Sequence, residues 1–480
     1  SYDRAIERMM LQLKSFGYNC IRCSHNPYSD SFARIADRVG MLVVDELTDK
    51  WSDNDYWGGR QPFTHIWHKL ITEWIKRDRN RPSIILWSLG NELQIREGWA
   101  GFEGTNDWGI TTYNIFNQLV KRWDHTRLTT VAMFPARAGA ITRHDKEFND
   151  YLVPPELACA TEVASFNYQS DKYDAYLKYR PDLILFQSEA ETSNLLQPYY
   201  NMDKERMVGI AYWGSVEYWG ESNKWPKKGW NYSFFEHTMR PYPQAYLIKT
   251  AFMPEIPEVH IGVVDAAGAE SVSWNDVIVG RMALNECWNH TPGSRRSLFT
   301  FTNAHSVELL VNGQSMGIQK NDTTRANLRN MIYWKDVPYG NGGSVVAIAR
   351  DKSGKEVARH RIETAGKAVA LRIEAETPTD WKADGMDLQY INVTVIDKKG
   401  RPVWDYNEPL TLQMEGAARL VALDNGDHYT DELFHGITSK RMYQGRMQII
   451  LRSDQEAGNV TVKISSAGLK GTLRLKTIKE

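Results

Sequence analysis

Residues 78–92 read Asp-Arg-Asn-Arg-Pro-Ser-Ile-Ile-Leu-Trp-Ser-Leu-Gly-Asn-Glu, an apolar run that ends in an amide and a carboxylate. A short, continuously apolar segment is typical of a strand covered on both faces, as in a parallel sheet. A helical pattern over about residues 64–77 comes directly before it. The stretch therefore predicts one helix-and-strand unit of an α/β sheet, with Asn91 and Glu92 at the carboxyl end of the strand.

The same alternation of helices and short apolar runs extends from residue 1 to about residue 252. A (β/α)₈ barrel, the TIM-barrel fold, needs eight strands, and this part of the chain opens on a helix. We therefore predict a TIM barrel in residues 1–254 whose first strand lies upstream; a seven-stranded open sheet is the alternative. The seven predicted strands lie at about residues 19–23, 41–44, 83–89, 128–133, 162–167, 183–188 and 208–213.

After Pro254 the pattern becomes all-β. Strand-like segments such as residues 307–311 and 344–349 are separated by turn signals such as Asn312-Gly313, which is typical of β-sandwiches. We predict two immunoglobulin-like sandwiches, at residues 255–366 and 367–480. Because neither shows an aromatic platform, we expect them to pack against the barrel rather than to bind polysaccharide.

Composition excludes several classes of protein. The 480 residues include 58 Lys and Arg against 59 Asp and Glu, a net charge of −1, which argues against binding nucleic acid through bulk charge. No apolar run reaches the ~18 residues that a membrane span needs.

We interpret Cys20 and Cys23 as buried strand residues rather than a redox or zinc site, since positions three apart on a strand face opposite ways. The four cysteines, Cys20, Cys23, Cys159 and Cys287, are no disulfide framework.

Two glutamates follow apolar strands of the predicted barrel. Glu92 ends the stretch quoted above, and Glu189 follows the apolar residues 183–186. TIM-barrel active sites lie at the carboxyl ends of the strands, and glycoside hydrolysis uses a pair of carboxyl groups there, one protonated and one ionised. Either glutamate alone is explained equally well as a solvated charge in a loop. Two of them after two strands of one barrel indicate a glycosidase.

A resemblance to a known family is spread over seven segments of the chain. They are residues 17–27, 37–46, 78–92, 187–189, 209–213, 301–317 and 421–427, of which 78–92 is the most specific. Together these segments resemble glycoside hydrolase family 2, the β-galactosidase and β-glucuronidase family. The family carries its acid/base after strand four and its nucleophile after strand seven, which agrees with one strand upstream of the seven predicted here. It normally also has a jelly roll and an immunoglobulin-like domain before the barrel, so we expect N-terminal domains upstream.

The resemblance implies roles for the two carboxyl groups. Glu92 is the expected general acid and then general base, and Glu189 the expected nucleophile. Glu191 competes for the second role, but Glu189 directly follows Ser188 as in the family. The expected activity is that of a retaining exo-β-glycosidase acting by double displacement on a glycoside, oligosaccharide or polysaccharide.

The resemblance also implies a set of substrate-binding residues. Asn91 is expected to hydrogen-bond the sugar 2-hydroxyl and Tyr168 to donate to the nucleophile. His25 is expected to contact sugar hydroxyls and Trp213 to form the floor of the pocket. Arg22 is expected to pair with a carboxylate at the barrel mouth, where a structural role is equally open.

Departures from the family narrow these expectations. Magnesium-binding members have a Glu-Thr-His segment soon after the third-strand Asp-Glu; residues 45–51 lack that histidine, so we expect no metal and no cofactor. Glucuronidases use Asn-x-Lys for the substrate carboxylate; Asn223-Lys224 and Lys227-Lys228 lack this spacing, so β-galactosides are preferred.

Other readings stay open. They are another specificity such as β-glucuronide, β-mannoside or α-arabinoside, a catalytically inactive carbohydrate-binding protein, and an inactive fragment. For localisation the family suggests the periplasm or export from a bacterium.

Overall fold

The computed structural model describes residues 2–51, 62–93, 109–134, 154–193, 196–222, 224–265, 270–274 and 277–479. It divides into two compact units. The barrel unit comprises residues 10–213 with 273–279, and the sandwich unit comprises residues 2–9, 214–272 and 280–480. The domain boundaries proposed from sequence, at 254 and 366, remain predictions.

Seven parallel strands form one sheet in the barrel unit, each paired with the next along the chain. Cα atoms of the first and last strands approach within 8 Å, so the sheet curls into a nearly closed, TIM-like barrel rather than an open sheet. The seven strands predicted from sequence are confirmed, with every end within two residues of its predicted position. They are Cys20–Arg22 (β1), Leu42–Glu46 (β2), Ile84–Asn91 (β3), Leu128–Met133 (β4), Val163–Asn167 (β5), Leu185–Ala190 (β6) and Met207–Tyr212 (β7).

Helices alternate with these strands, and local sequence explains where they begin and end. Before the helix at residues 30–39, the Ser29 hydroxyl accepts a hydrogen bond from the Phe32 amide at 3.3 Å, and Gly40 ends the helix in the left-handed conformation at φ +70°. The described helices are Asp3–Ser15 (α1), Asp30–Val39 (α2), Phe63–Asp78 (α3), Ile110–Trp123 (α4), Glu156–Ala160 (α5), Tyr173–Tyr179 (α6), Leu196–Tyr200 (α7) and Ala245–Phe252 (α8), with a 3₁₀ turn at Ser170–Lys172.

Three of the five register shifts among the described barrel strands lie at their carboxyl ends. The pairing shifts between Ser88 and Asn91 in β3, and between Phe166 and Asn167 in β5. A further shift lies between Gln187 and Ala190 in β6. Such bulges turn side chains toward new directions and are common beside active sites. Here they occur where polar residues replace the apolar run.

The first antiparallel sandwich encloses a core to which both of its sheets contribute, for example Leu298 from one and Leu309 from the other. One sheet contains Val259–Val264 (β10), Leu284–Asn285 (β13), Arg295–Thr302 (β14) and Met331–Pro338 (β17); the other contains Ser306–Val311 (β15), Gln314–Lys320 (β16), Ser344–Arg350 (β18) and Glu356–Glu363 (β19). Two short pairs precede or accompany it, Tyr218–Trp219 (β8) with Gly229–Trp230 (β9), and Glu270–Trp274 (β11) with Val277–Arg281 (β12).

The second sandwich has the same construction. Its two sheets enclose one core, to which Ile449 contributes from one sheet and Val462 from the other. Its sheets contain Ala368–Ala375 (β20), Leu388–Asp397 (β21), Ala418–Asp424 (β23) and Arg446–Ser453 (β25) on one side, and Pro409–Gly416 (β22), Ser439–Arg441 (β24), Asn459–Ser466 (β26) and Leu469–Lys476 (β27) on the other. The predicted all-β pattern is thus confirmed. All four cysteines are free, and among the described residues no helix is long and apolar enough to cross a membrane.

Candidate active site

Glu92 stands immediately after the last residue of β3. Its amide donates to the Ala132 carbonyl of β4 at 2.7 Å, and its own φ is +46°, in the left-handed region that favours glycine. Its carboxyl oxygen Oε1 accepts a hydrogen bond from the Asn167 amide at 3.1 Å. A glutamate held in an unfavourable backbone conformation at a strand end is a feature of functional sites.

Glu189 lies in β6 and is buried, with 3% of its surface exposed. Its Oε1 accepts a hydrogen bond from Nη1 of Arg22 at 2.7 Å. Glu191, the competing nucleophile, lies one residue beyond the end of β6. Of these two carboxylates it is therefore Glu189 that receives the guanidinium of Arg22 in the described structure.

Arg22, the last residue of β1, joins two carboxylates. Its Nε and Nη2 donate to Glu46 at 2.8 to 3.0 Å, while Nη1 donates to Glu189. Nη2 also donates to Oδ1 of Asn91 at 3.0 Å. Only 4% of the Arg22 side chain is exposed. The guanidinium thus gives both buried carboxylates charge-assisted hydrogen bonds, which are shorter and stronger than bonds between neutral groups.

Glu46 at the end of β2 was not among the residues singled out from sequence. Besides Arg22, it accepts from the Ser88 hydroxyl at 2.7 Å and lies 2.7 Å from Nδ1 of His25. Complete burial opposes its charge, but these three partners hold the pKa of Glu46 below its ordinary value. Burial likewise opposes the charge of His25, and Glu46 nevertheless raises the pKa of that imidazole.

Glu92 and Glu189 have different electrostatic surroundings. Burial, reinforced by the negative charge of Glu189, raises the pKa of Glu92 to about 7. Glu189 itself has the Arg22 cation at 2.7 Å. One carboxyl group is thus available as a proton donor near neutral pH while a guanidinium lies against its neighbour, an arrangement that fits the two roles that two-carboxylate hydrolysis needs.

An amide network positions the first of these groups. The side-chain amide of Asn167, the last residue of β5, donates both to Oδ1 of Asn91 at 3.0 Å and to Glu92. Its Oδ1 accepts from the Ser188 hydroxyl at 2.7 Å, and Nδ2 of Asn91 donates to Asp49 at 3.0 Å. Sequence reasoning missed these partners, although polar residues at strand ends such as Asn167 were visible signals.

The remaining predicted residues surround this network. The imidazole of His25 stacks on the indole of Trp213, with ring centroids 5.3 Å apart and planes 8° from parallel. Tyr168 has a φ of +57°, donates its amide to the Glu189 carbonyl at 2.8 Å, and packs its ring edge-on against Phe134. Their contacts with sugar, and donation from the Tyr168 hydroxyl to the nucleophile, remain predictions.

Residues 4–208 match the family model for the glycosyl hydrolases family 2 TIM barrel domain, and residues 371–473 match that for glycoside hydrolase family 2 C-terminal domain 5. Residues 293–358, between them, match a domain of unknown function. Both ends of the chain thus match parts of one family of sugar-cleaving enzymes.

Two curated relatives and a solved structure are similar to this chain over nearly its whole length. A Formosa agariphila protein provisionally named a β-glucuronidase is 46% identical over 521 residues, covering 100% of this chain and 47% of the relative. The β-galactosidase BoGH2A of Bacteroides ovatus is 26% identical over 530 residues, covering 97% and 58%. The crystal structure of a family 2 glycosyl hydrolase from Bacteroides cellulosilyticus superposes with a TM-score of 0.81 at 28% identity, covering 99% of this chain and 59% of that one.

The fold and these matches define a glycoside hydrolase barrel followed by β-sandwich domains. The chain belongs to glycoside hydrolase family 2. It spans about half the length of the curated relatives it matches, 58% and 47% of the two just named.

Proposed function

We propose that the protein is a retaining exo-β-glycosidase that removes terminal β-linked sugars by double displacement. The observation that carries the proposal is the pairing of Glu92, whose pKa is raised to about 7, with Glu189, whose carboxylate binds Arg22 at 2.7 Å. This is the combination of proton donor and anionic nucleophile that retaining hydrolysis uses.

In the first step of this mechanism, a carboxylate oxygen of Glu189 attacks the anomeric carbon. The bond to the leaving oxygen breaks, and Glu92 transfers its proton to that oxygen. The product is a glycosyl ester on Glu189 and a free alcohol. Forming the ester removes the negative charge of Glu189, which is one of the two causes that raise the pKa of Glu92. The acid of the first step therefore becomes the base of the second.

In the second step, Glu92 takes a proton from water, whose oxygen attacks the anomeric carbon of the ester. The sugar leaves with its original configuration, and Glu189 is regenerated as an anion beside Arg22. The buried Asn91 and Asn167 amides lie beside this path, where a hydrogen bond to the sugar 2-hydroxyl strengthens in the transition state.

β-Galactosides are the proposed substrates. The chain lacks the glucuronidase Asn-x-Lys spacing, and two of the three lysines near this position are engaged within the sandwich unit: the ammonium of Lys227 lies 4.1 Å from the centre of the Tyr232 ring, and Lys228 donates to the Thr430 carbonyl. This favours a neutral sugar over a carboxylate-bearing one. β-Glucuronides are the second candidate, because the 46% identical relative carries that provisional name.

The test is turnover of a panel of aryl β-glycosides by the full-length protein, with Glu189→Gln beside it and Glu191→Gln as the matched control. We expect one preferred sugar, a loss of at least ~10³-fold in kcat on Glu189→Gln, and activity close to wild type for Glu191→Gln. The first-formed product should be the β-anomer by proton NMR. An α-anomer, or loss of activity only in the Glu191 variant, contradicts the mechanism. A folded protein that binds sugars without any turnover supports the carbohydrate-binding alternative instead.

A further inference from the structure

Two histidines and a glutamate converge in the sandwich unit from distant parts of the chain. Glu217 directly precedes β8, His237 lies in the loop between β9 and α8, and His428 lies between β23 and β24. One oxygen or ring nitrogen from each lies within 4.8 Å of the others. Glu217 and His428 are buried, with 3% and 4% of their surfaces exposed.

The distances fit a small metal ion at the centre of the group. Oε2 of Glu217 is 3.0 Å from Nδ1 of His237 and 3.4 Å from Nδ1 of His428. Ligand atoms arranged tetrahedrally at ~2.0–2.1 Å from zinc lie about 3.3 Å from one another. The other oxygen, Oε1, accepts from the Tyr242 hydroxyl at 2.6 Å and has Arg281 at 3.7 Å. Oε2, which also accepts the His237 amide at 3.2 Å, is the oxygen that faces both imidazoles.

The second nitrogen of His237 has the partner that metal-binding histidines usually have. Its Nε2 lies 2.9 Å from Oδ1 of Asp424, a carboxylate oriented by the Gly426 amide at 3.0 Å. A carboxylate on one ring nitrogen fixes the tautomer in which the other nitrogen presents its lone pair to a metal. For His237 that nitrogen is Nδ1, which faces Glu217.

His428 supplies an independent observation. Although it is 4% exposed, neither of its ring nitrogens makes a hydrogen bond to any described residue. Buried polar groups are nearly always satisfied, and an exception calls for a water or an ion. His428 also lines a cavity of about 120 Å³, together with Asn231 and Arg240, which offers room for a solvent ligand.

A second group of the same composition also contains a buried histidine nitrogen without a hydrogen bond to any described residue, Nε2 of His260, but its other histidine is turned differently, and the group serves as a comparison. In the group His260, Glu286 and His360, Nδ1 of His360 accepts the Ile261 amide at 3.0 Å. The neutral ring must then carry its proton on Nε2, the nitrogen nearer to Glu286. That nitrogen has no lone pair to offer a metal, so this group is not a metal site.

We propose that Glu217, His237 and His428 bind one zinc ion, with a fourth ligand from solvent in the adjoining cavity. Two imidazoles and one carboxylate are a ligand set for zinc rather than for magnesium or calcium, which prefer oxygen. The ion fastens the loop at residues 425–430 to the segment at 214–243 within the sandwich unit. This site is separate from the hydrolytic mechanism proposed above and does not depend on it.

The experiment uses chelator-treated full-length protein, titrated with Zn²⁺ by calorimetry, with zinc content measured after dialysis. His428→Ala and Asp424→Asn test the site, and His360→Gln is the matched control from the comparison group. We expect wild type and the control to contain one more zinc ion per chain than His428→Ala. Asp424→Asn should bind that ion with an affinity ~10–100-fold below that of wild type. Equal zinc content and affinity in wild type and His428→Ala would overturn the proposal.

Cobalt supplies a readout that does not depend on the stability of any variant. Co²⁺ added to wild-type protein should give the strong visible bands of a four-coordinate cobalt ion, displaced by one equivalent of Zn²⁺. Zinc should also raise the midpoint of thermal unfolding of wild type and of His360→Gln, because an ion that binds only the folded state stabilises it. A wild-type protein with neither the bands nor the thermal shift has no such site.

Discussion

Asp45 and Glu46 are consecutive residues of β2, and their carboxyl groups have pKa values displaced in opposite directions. Successive strand residues face opposite ways. Asp45 accepts from the indole of Trp74 on α3 at 2.6 Å, whereas Glu46 is held by Arg22 and His25. Burial raises the pKa of Asp45 to about 7, while the cations around Glu46 overcome burial and lower its pKa.

We expect Asp45→Asn to stabilise the protein at pH 8 without changing its activity. The folded-state pKa of Asp45 lies above its unfolded value, so the wild type loses stability as pH rises from about 4 to about 7. An asparagine carries no charge and keeps an oxygen for Trp74, while it gives up the hydrogen bond that Oδ1 of Asp45 accepts from the Glu46 amide at 3.1 Å. Thermal unfolding of both proteins at pH 5 and pH 8 measures the effect, and an equal or lower midpoint for the variant at pH 8 would contradict the raised pKa.

Glu46→Gln should act in the opposite way. The folded-state pKa of Glu46 is lowered, so its contribution to stability is present above pH ~4.5 and is lost as pH falls through the folded value. Removing the charge leaves the buried Arg22 short of a partner, at a cost of about 3–5 kcal/mol. Denaturant unfolding at pH 7 checks this, with Asp45→Asn as the neighbouring control.

The rate should fall above about pH 7 because Glu92 must be protonated to donate. With its pKa raised to about 7, kcat/KM is expected to have an alkaline limb there. Glu92→Gln should abolish that limb and lower the rate ~10²–10⁴-fold on substrates with poor leaving groups. Aryl glycosides with acidic leaving groups should lose much less. A limb that persists in Glu92→Gln belongs to another group.

Asn167 is expected to set the position of that limb. Its amide donates to Glu92 and lowers the pKa of the carboxyl group, so Asn167→Ala should move the limb to higher pH while lowering kcat. Ser188→Ala, which removes only the donor to Asn167, should move it little. The pH dependence of kcat/KM for the three proteins distinguishes a positioning role from a loss of folding, which lowers the rate at every pH.

Arg22→Lys should show that geometry matters beyond charge. A lysine cannot reproduce the planar fork that binds Glu46 and Glu189 together. We expect a folded protein whose kcat falls ~10²-fold or more. Circular dichroism and single-turnover kinetics check the two halves of this statement, and full activity in the lysine variant would refute it.

The barrel strands were predictable because burial on both faces leaves a continuous apolar run, as in residues 84–89, and because polar residues such as Glu92 end that run. The side-chain network was not. Whether Glu46 meets Arg22 depends on the register of β1 against β2, which no local pattern encodes. His237 and His428 are likewise brought together only by tertiary structure.

Glu92 and Tyr168 share a backbone conformation that suits glycine better than a residue with a side chain. Nine described residues other than glycine have a positive φ, and these two are the ones in the barrel unit, where each follows a strand; strain of this kind is found at functional sites. Among relatives, members that no longer hydrolyse sugars are therefore expected to tolerate glycine or asparagine at these two positions. Members that still cleave sugars are not. The residues at these two positions of an uncharacterised homologue would then distinguish an active enzyme from one that has lost its activity.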